Sequence, residues 1–173
     1  MDYLMFYNLD NFLFEKVQQK FEKSGKISTF DFHCILIWKA NRAKNKHRKR
    51  LCRNGRSYKS AVSHLILGLV NRKSPEEKLE WMMSGAGFRL PTASAILTVL
   101  YPLQFTVYDV RVCDQLGKFY ELKDYKFTGK LWEKYVEFKR CVEKKVPGNY
   151  SLRDKDKFLW GKSFFKQVKK EIL

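Results

Sequence analysis

The chain has 173 residues, and 35 Lys and Arg against 18 Asp and Glu give it a formal net charge of +17, a surplus that repels itself unless a polyanion is the usual partner. With 45% hydrophobic and 16% aromatic residues, it holds enough apolar material for one packed domain, which excludes disorder as a description of the whole. Cys34, Cys52, Cys113 and Cys141 share no CxxC spacing and no metal-ligand pattern, which argues against a zinc ribbon or an iron–sulfur cluster.

In chain order, "MDYLMFYNLD" is apolar but acidic and has no basic leader, so it reads as part of the fold and not as a signal peptide. The expectation is an intracellular protein, cytoplasmic or nucleoid-associated. Residues 10–23 carry Phe14, Val17 and Phe21 at helical spacing, and Gly25 ends the segment. Ser28 or Thr29 can cap a second helix through "FDFHCILIWKAN", with Phe32, Ile35, Leu36 and Trp38 on a broad apolar face. Next comes Lys39 to Arg56, with nine basic residues, His47 and no acid. Its alternatives are a solvated charged face and a phosphate contact through Arg48, Lys49, Arg50 and Arg53.

Helix resumes near Ser60. "SPEEKLEWMMSG" then carries a start signal: Ser74 as N-cap, Pro75 behind it and Glu77 three residues on. Gly85 and Gly87 are expected to stop it, and Pro91 to open a helix through Leu100. Phe105 to Tyr108 is β-prone and extended, and Asp109 begins a helix through "VRVCDQLGKF". A cleaner helix covers 128–145, with Leu131, Tyr135, Phe138 and Val142 on one face. Ser151 with Asp154 caps the last one. Three cysteines and the histidines His33 and His64 fall in apolar patterns that bury them. The fold class is all-α, a single domain over 1–173, with a short extended piece before Asp109.

The two helices on either side of "SGAGFRL" make a helical hairpin over 74–101. Free N–H groups at the start of its second helix would suit a phosphate oxygen. An ordinary packed hairpin fits the same pattern. The stretch "GFRLPTASAIL…FTVYDVRVCDQL" resembles the helix-hairpin-helix DNA glycosylases, in Thr92-Ala93, in the apolar run ending at Asp109, and in the helix that follows. The likeness is clearest over 84–117, and "LRDKDKFLWGKSF" is similar to the last helix of a compact branch of that superfamily.

The resemblance implies a two-lobed helical bundle and a DNA partner, duplex with a damaged or mismatched base, bound by a monomer. It also implies backbone contacts at Gly85, Gly87, Arg89, Leu90, Thr92 and Ala93, and Asp109 as catalytic carboxylate. Three departures qualify it. Pro91 stands eighteen positions before the acid, where the bifunctional members keep a Schiff-base lysine; proline has no amine, so lyase chemistry by that route is excluded. Arg89 replaces the second hairpin glycine. No four-cysteine loop follows, so no iron–sulfur cofactor is implied.

Base release leaves positive charge on the deoxyribose. A carboxylate beside that sugar stabilises the oxocarbenium-like species and can orient the attacking water. Asp109 fits that role and also fits a plain helix N-cap. The flipped base would need an aromatic pocket, for which Trp38, Trp81, Tyr108 and Trp160 are available, with core packing as the alternative for each. The readings are a monofunctional base-excision glycosylase without metal, a non-catalytic nucleic-acid-binding protein on the same scaffold, and a basic adaptor for an acidic protein.

Overall fold

In the computed structural model, residues Tyr3–Leu173 are described; Met1 and Asp2, the start of the apolar N-terminal stretch, lie outside the described residues. The described residues are mostly helical, and no strand forms among them. After a 3-10 turn at Tyr3–Phe6, α1 (Leu9–Asn11) runs through a wide π segment at Phe12–Val17 into α2 (Gln18–Ser24). Then follow α3 (Thr29–Ala40), α4 (Lys44–Leu51), α5 (Tyr58–Val70), α6 (Pro75–Glu80) with a π continuation at Trp81–Gly85, and α7 (Leu90–Leu100). The last three are α8 (Val110–Leu116), α9 (Gly129–Lys145) and α10 (Leu152–Ile172). None is long and apolar enough to cross a membrane.

Local chemistry sets most of the boundaries. Ser28 with Asp31 and Ser74 with Glu77 form reciprocal capping boxes at the starts of α3 and α6, each satisfying two otherwise orphaned donors. Thr128 and Ser151 cap α9 and α10 through single side-chain acceptors. Four boundaries differ from the sequence reading. Helix α5, read as resuming near Ser60, begins at Tyr58 behind the cap Ser57. Helix α8 ends at Leu116, before the Gly117-Lys118-Phe119 included in it. Gly85 lies inside the π continuation of α6, not beyond its end. Pro91 is the second residue of α7, with Leu90 first.

Helix α7 sits at the centre. All its residues except Pro91 are buried, the expected consequence of a sequence apolar on every side. Helices α2, α3 and α6 pack around it. Leu97 is fully buried there, so its truncation to alanine would cost about 2–5 kcal/mol. On the far side α10 lies along α8 and α9, anchored by Leu159, Asp156 and Ser163.

Burial departs from the sequence reading at several side chains. Cys34 and Cys113 are buried, whereas Cys52 and Cys141 are half-buried. His33 is half-buried and hydrogen-bonds the Tyr58 hydroxyl at 3.1 Å. His64, expected in the core, is exposed. The buried histidine is His47, inside the basic run, whose ring lies against Phe88 at 5.1 Å. The basic helix α4 thus turns one uncharged face inward, which a count of its charges conceals.

Candidate functional site

The segment before Asp109 is extended but pairs with no strand. Side chains take the place of a neighbouring strand and satisfy its backbone. Tyr135 donates its hydroxyl to the Thr106 carbonyl (2.7 Å) and accepts from the Thr106 N–H (3.1 Å). The Val107 N–H and the Thr106 hydroxyl both donate to Asp156 Oδ2, at 3.3 and 3.1 Å. The Tyr108 N–H donates to Ser94 Oγ at 3.0 Å, and the Tyr108 hydroxyl donates to the Phe119 carbonyl at 2.7 Å. These bonds deliver Asp109 to the start of α8 in a fixed place.

Asp109 lines a cavity of about 440 Å³ together with Asp10, Trp38, Lys39, Arg153, Asp156, Lys157 and Trp160. Its Oδ1 accepts from the Arg111 N–H at 3.0 Å, which is the N-cap bond of α8. Its Oδ2 receives Lys39 Nζ at 2.6 Å. The side chains of Lys39 and Asp109 are 13% and 25% exposed. Asp109 is therefore not a lone acid, because a lysine seventy residues earlier neutralises it. The cap expected of this residue forms, and one oxygen remains to face the cavity with its lysine.

The wall opposite is a second set of charges. Arg153 ion-pairs with Asp156 and, at 2.5 Å, with Asp10; Lys157 reaches Asp10 at 2.7 Å. The Arg153 guanidinium lies over the Phe14 and Trp38 rings, at 4.9 and 5.1 Å. Burial works to raise the Asp10 carboxyl, but the bonds from Lys157 and Arg153 outweigh it and hold it below the usual carboxylate range. At Asp156 burial wins: the carboxyl is pushed up to about 6 against the lowering effects of Arg153, Val107 and Thr106. Three carboxylates and three cations thus face one another around the cavity.

The hairpin and the basic helix meet in a second cavity of about 390 Å³, lined by Arg50, Arg53, Arg56, His64, Trp81, Ser84, Gly85 and Gly87 among others. Arg50 donates to the Gly87 carbonyl. Gly87 has φ +72°, and a Cβ there would stand 3.1 Å from Arg50 Cδ, so glycine meets both the left-handed backbone and the close side chain. The structure brings Arg50 and Arg53 together with Gly85 and Gly87. Arg48 lies over the Tyr58 ring at 5.5 Å, and Arg48 and Lys49 are exposed on the same helix. Among the described residues, no acidic side chain lines this cavity.

The rest of the hairpin behaves differently from the sequence reading. Leu90, Thr92 and Ala93 are buried, so their side chains face the core. The Thr92 and Ala93 N–H groups both donate to the Arg89 carbonyl, at 3.0 and 2.9 Å, and Pro91 has no N–H. Leu90 aside, the start of α7 therefore lacks the open row of donors expected of it, and the cations nearest this end are arginine side chains, Arg50 on Gly87 and Arg89 at the cap. Arg89 is exposed and pairs with Asp124 at 3.2 Å.

Of the four aromatic candidates, Trp38 and Trp160 line the acid pocket. Tyr108 is fully buried, and Trp81 lines the arginine cavity, its indole N–H donating to the Leu65 carbonyl at 3.0 Å. The residues that sequence reasoning missed are Lys39, Asp10, Arg153, Asp156 and Lys157. Lys39 opened the basic run, but nothing in the run distinguished it from its neighbours. Asp10 and Arg153 meet across 143 positions, a separation without local signal. Among the described residues no group of His, Cys, Asp and Glu is arranged to hold a metal ion. Compared with known proteins, the chain matches no family model, no curated protein and no solved structure.

Proposed function

We propose that this protein is a monofunctional DNA N-glycosylase of the two-lobed helix-hairpin-helix type, acting as a monomer on a damaged or mismatched base. The observation that carries the reading is Asp109 on the wall of a cavity of about 440 Å³ that Trp38 and Trp160 also line. That volume lies within the range of small-molecule sites, roughly 300–1,000 Å³, and an extruded base could enter it. The arginine cavity at the hairpin supports a phosphate contact, and the net charge of +17 supports a polyanionic partner.

In this reading the C1′–N bond breaks with its electron pair leaving on the base, and positive charge develops on the sugar. Asp109 faces that charge and takes a proton from the water whose oxygen bonds to C1′. Lys39 must swing from Oδ2 for the sugar to approach, which its flexible four-carbon stem permits.

A second reading is favoured by one observation: both Asp109 oxygens are already engaged, one by Lys39 and one by the Arg111 N–H. On that reading the protein binds nucleic acid without cutting it. A single-turnover base-release assay at low salt separates the two, with duplexes carrying alkylated, oxidised, deaminated or mismatched bases. Release by wild type, reduced about 10²–10⁴-fold in Asp109→Asn, is expected of the enzyme. No release from any duplex, with salt-sensitive binding by both proteins, establishes the binding protein instead.

A further inference from the structure

Two of the exposed aromatic side chains of α10 form a pair beside the acid pocket. Trp160 and Phe164, one helical turn apart, stack with ring centroids 5.6 Å apart and planes inclined by 11°. The Arg111 guanidinium, from the first turn of α8, lies over both rings at 5.2 and 5.5 Å. Neither ring is buried, at 41% and 47% exposure. Trp160 and Lys157, three residues before it on the same face, also line the acid pocket. The stacked pair is thus a partly exposed aromatic surface that adjoins the pocket wall and carries the Arg111 cation.

We propose that Trp160 and Phe164, held by Arg111, form a stacking platform for unpaired nucleobases, along which one DNA strand runs as it leaves the pocket. The inference rests on the nucleic-acid part of the proposed function and not on catalysis by Asp109. Every base has a π face, so stacking on such rings is tolerant of sequence, and Arg111 adds a cation to the stack. Arg111 also supplies positive charge to the strand's phosphates. An acidic peptide would be attracted by the same cation, but it has no use for two near-parallel rings. Nucleobases do.

The test is binding of a labelled oligothymidylate and of a fully paired duplex at low salt, read by fluorescence anisotropy. Phe164→Ala should weaken single-strand binding roughly 5- to 100-fold, while duplex affinity changes less than about threefold. Phe164→Tyr should retain single-strand binding, and circular dichroism should show unchanged helix content. Equal losses on both nucleic acids, or no loss on either, overturns the platform while leaving the proposed function standing. Wild type that binds neither nucleic acid overturns both. Anionic lipid vesicles form a third arm; vesicle binding abolished by Phe164→Ala, with oligothymidylate binding untouched, assigns the face to a membrane surface and overturns the proposal.

Discussion

Asp156 is the side chain whose removal should do most to the acid pocket without touching Asp109. It is 2% exposed, pairs with Arg153, and accepts from the Thr106 hydroxyl and the Val107 N–H. Asp156→Ala leaves those two donors buried and strips Arg153 of one of its two carboxylates. Breaking a buried ion pair on one side costs about 3–5 kcal/mol, and an orphaned buried donor alone costs about 1–3 kcal/mol. These costs overlap, so about 3–5 kcal/mol is expected in all, or roughly 6–20 °C in Tm for a chain of this size.

Asp156→Asn separates charge from hydrogen bonding. Its amide oxygen can still accept from Thr106 and Val107, and Asp10 still pairs with Arg153 at 2.5 Å, so it should cost about 1–2 kcal/mol. A pH series adds an independent check. Because burial raises the Asp156 carboxyl to about 6 from 3.8, the folded state binds this proton more tightly than the unfolded chain. Its contribution to stability is fully present below about pH 3.8 and is lost as pH rises through about 6. From pH 7.5 to pH 5, wild type should gain on the order of 1 kcal/mol relative to Asp156→Asn. Urea denaturation at both pH values measures this. An Ala variant within about 1 kcal/mol of wild type, or a wild-type–Asn difference that moves the other way with pH, would refute the reasoning.

Further outcomes follow from the same geometry. Arg50→Ala and Arg53→Ala should each weaken duplex binding and lower the slope of log K against log salt by about 1; an unchanged slope would remove the arginine cavity from the interface. His47 is buried, and its ring titrates below the usual histidine range because of burial, then Arg50 and Lys46. Its contribution is present above about pH 6.5 and lost on acidification, so His47→Phe should flatten the fall in stability between about pH 6.5 and 5, measured by urea titration. Gly68 faces the Trp81 ring so closely that a Cβ would enter its van der Waals envelope, and Gly68→Ala should cost about 1–3 kcal/mol by thermal unfolding.

What the sequence makes legible is what local chemistry decides. Ser74 with Glu77 and Ser151 with Asp154 announce helix starts because each cap is completed within three residues. Asp109 as the cap of α8 is legible for the same reason. What closes over long separations is not. No local pattern indicates that Lys39 will meet Asp109, that Arg153 will lie between Asp10 and Asp156, or that His47 will turn inward from a helix of cations. The hairpin shows both sides: its two helices form within a residue or two of where serine, glycine and proline indicate, yet the Thr92 and Ala93 donors expected to be open at the start of α7 are taken by the Arg89 carbonyl.

The Lys39–Asp109 pair changes what the pocket can be expected to do. In so basic a protein an unpaired carboxylate would already attract any neighbouring cation, and Lys39 is that cation, held 2.6 Å away. On the proposed function, arriving phosphates would compete for the lysine, because the ammonium can pair with them and release the carboxylate toward a sugar. The pair would then keep the acid screened in the free protein and expose it when a polyanion lies across the pocket mouth. Removing the ammonium with Lys39→Met would leave Asp109 charged and partly buried without its partner, at a cost to stability. It would also remove the screen. If Asp109 acts on the sugar, Lys39→Met should retain base release while binding abasic duplex more weakly. If Asp109 only caps α8, the same substitution should change binding, and Asp109→Asn should leave any base release as it is in wild type. Release kept in Lys39→Met and lost in Asp109→Asn thus marks an acid that works, and not one that merely ends a turn.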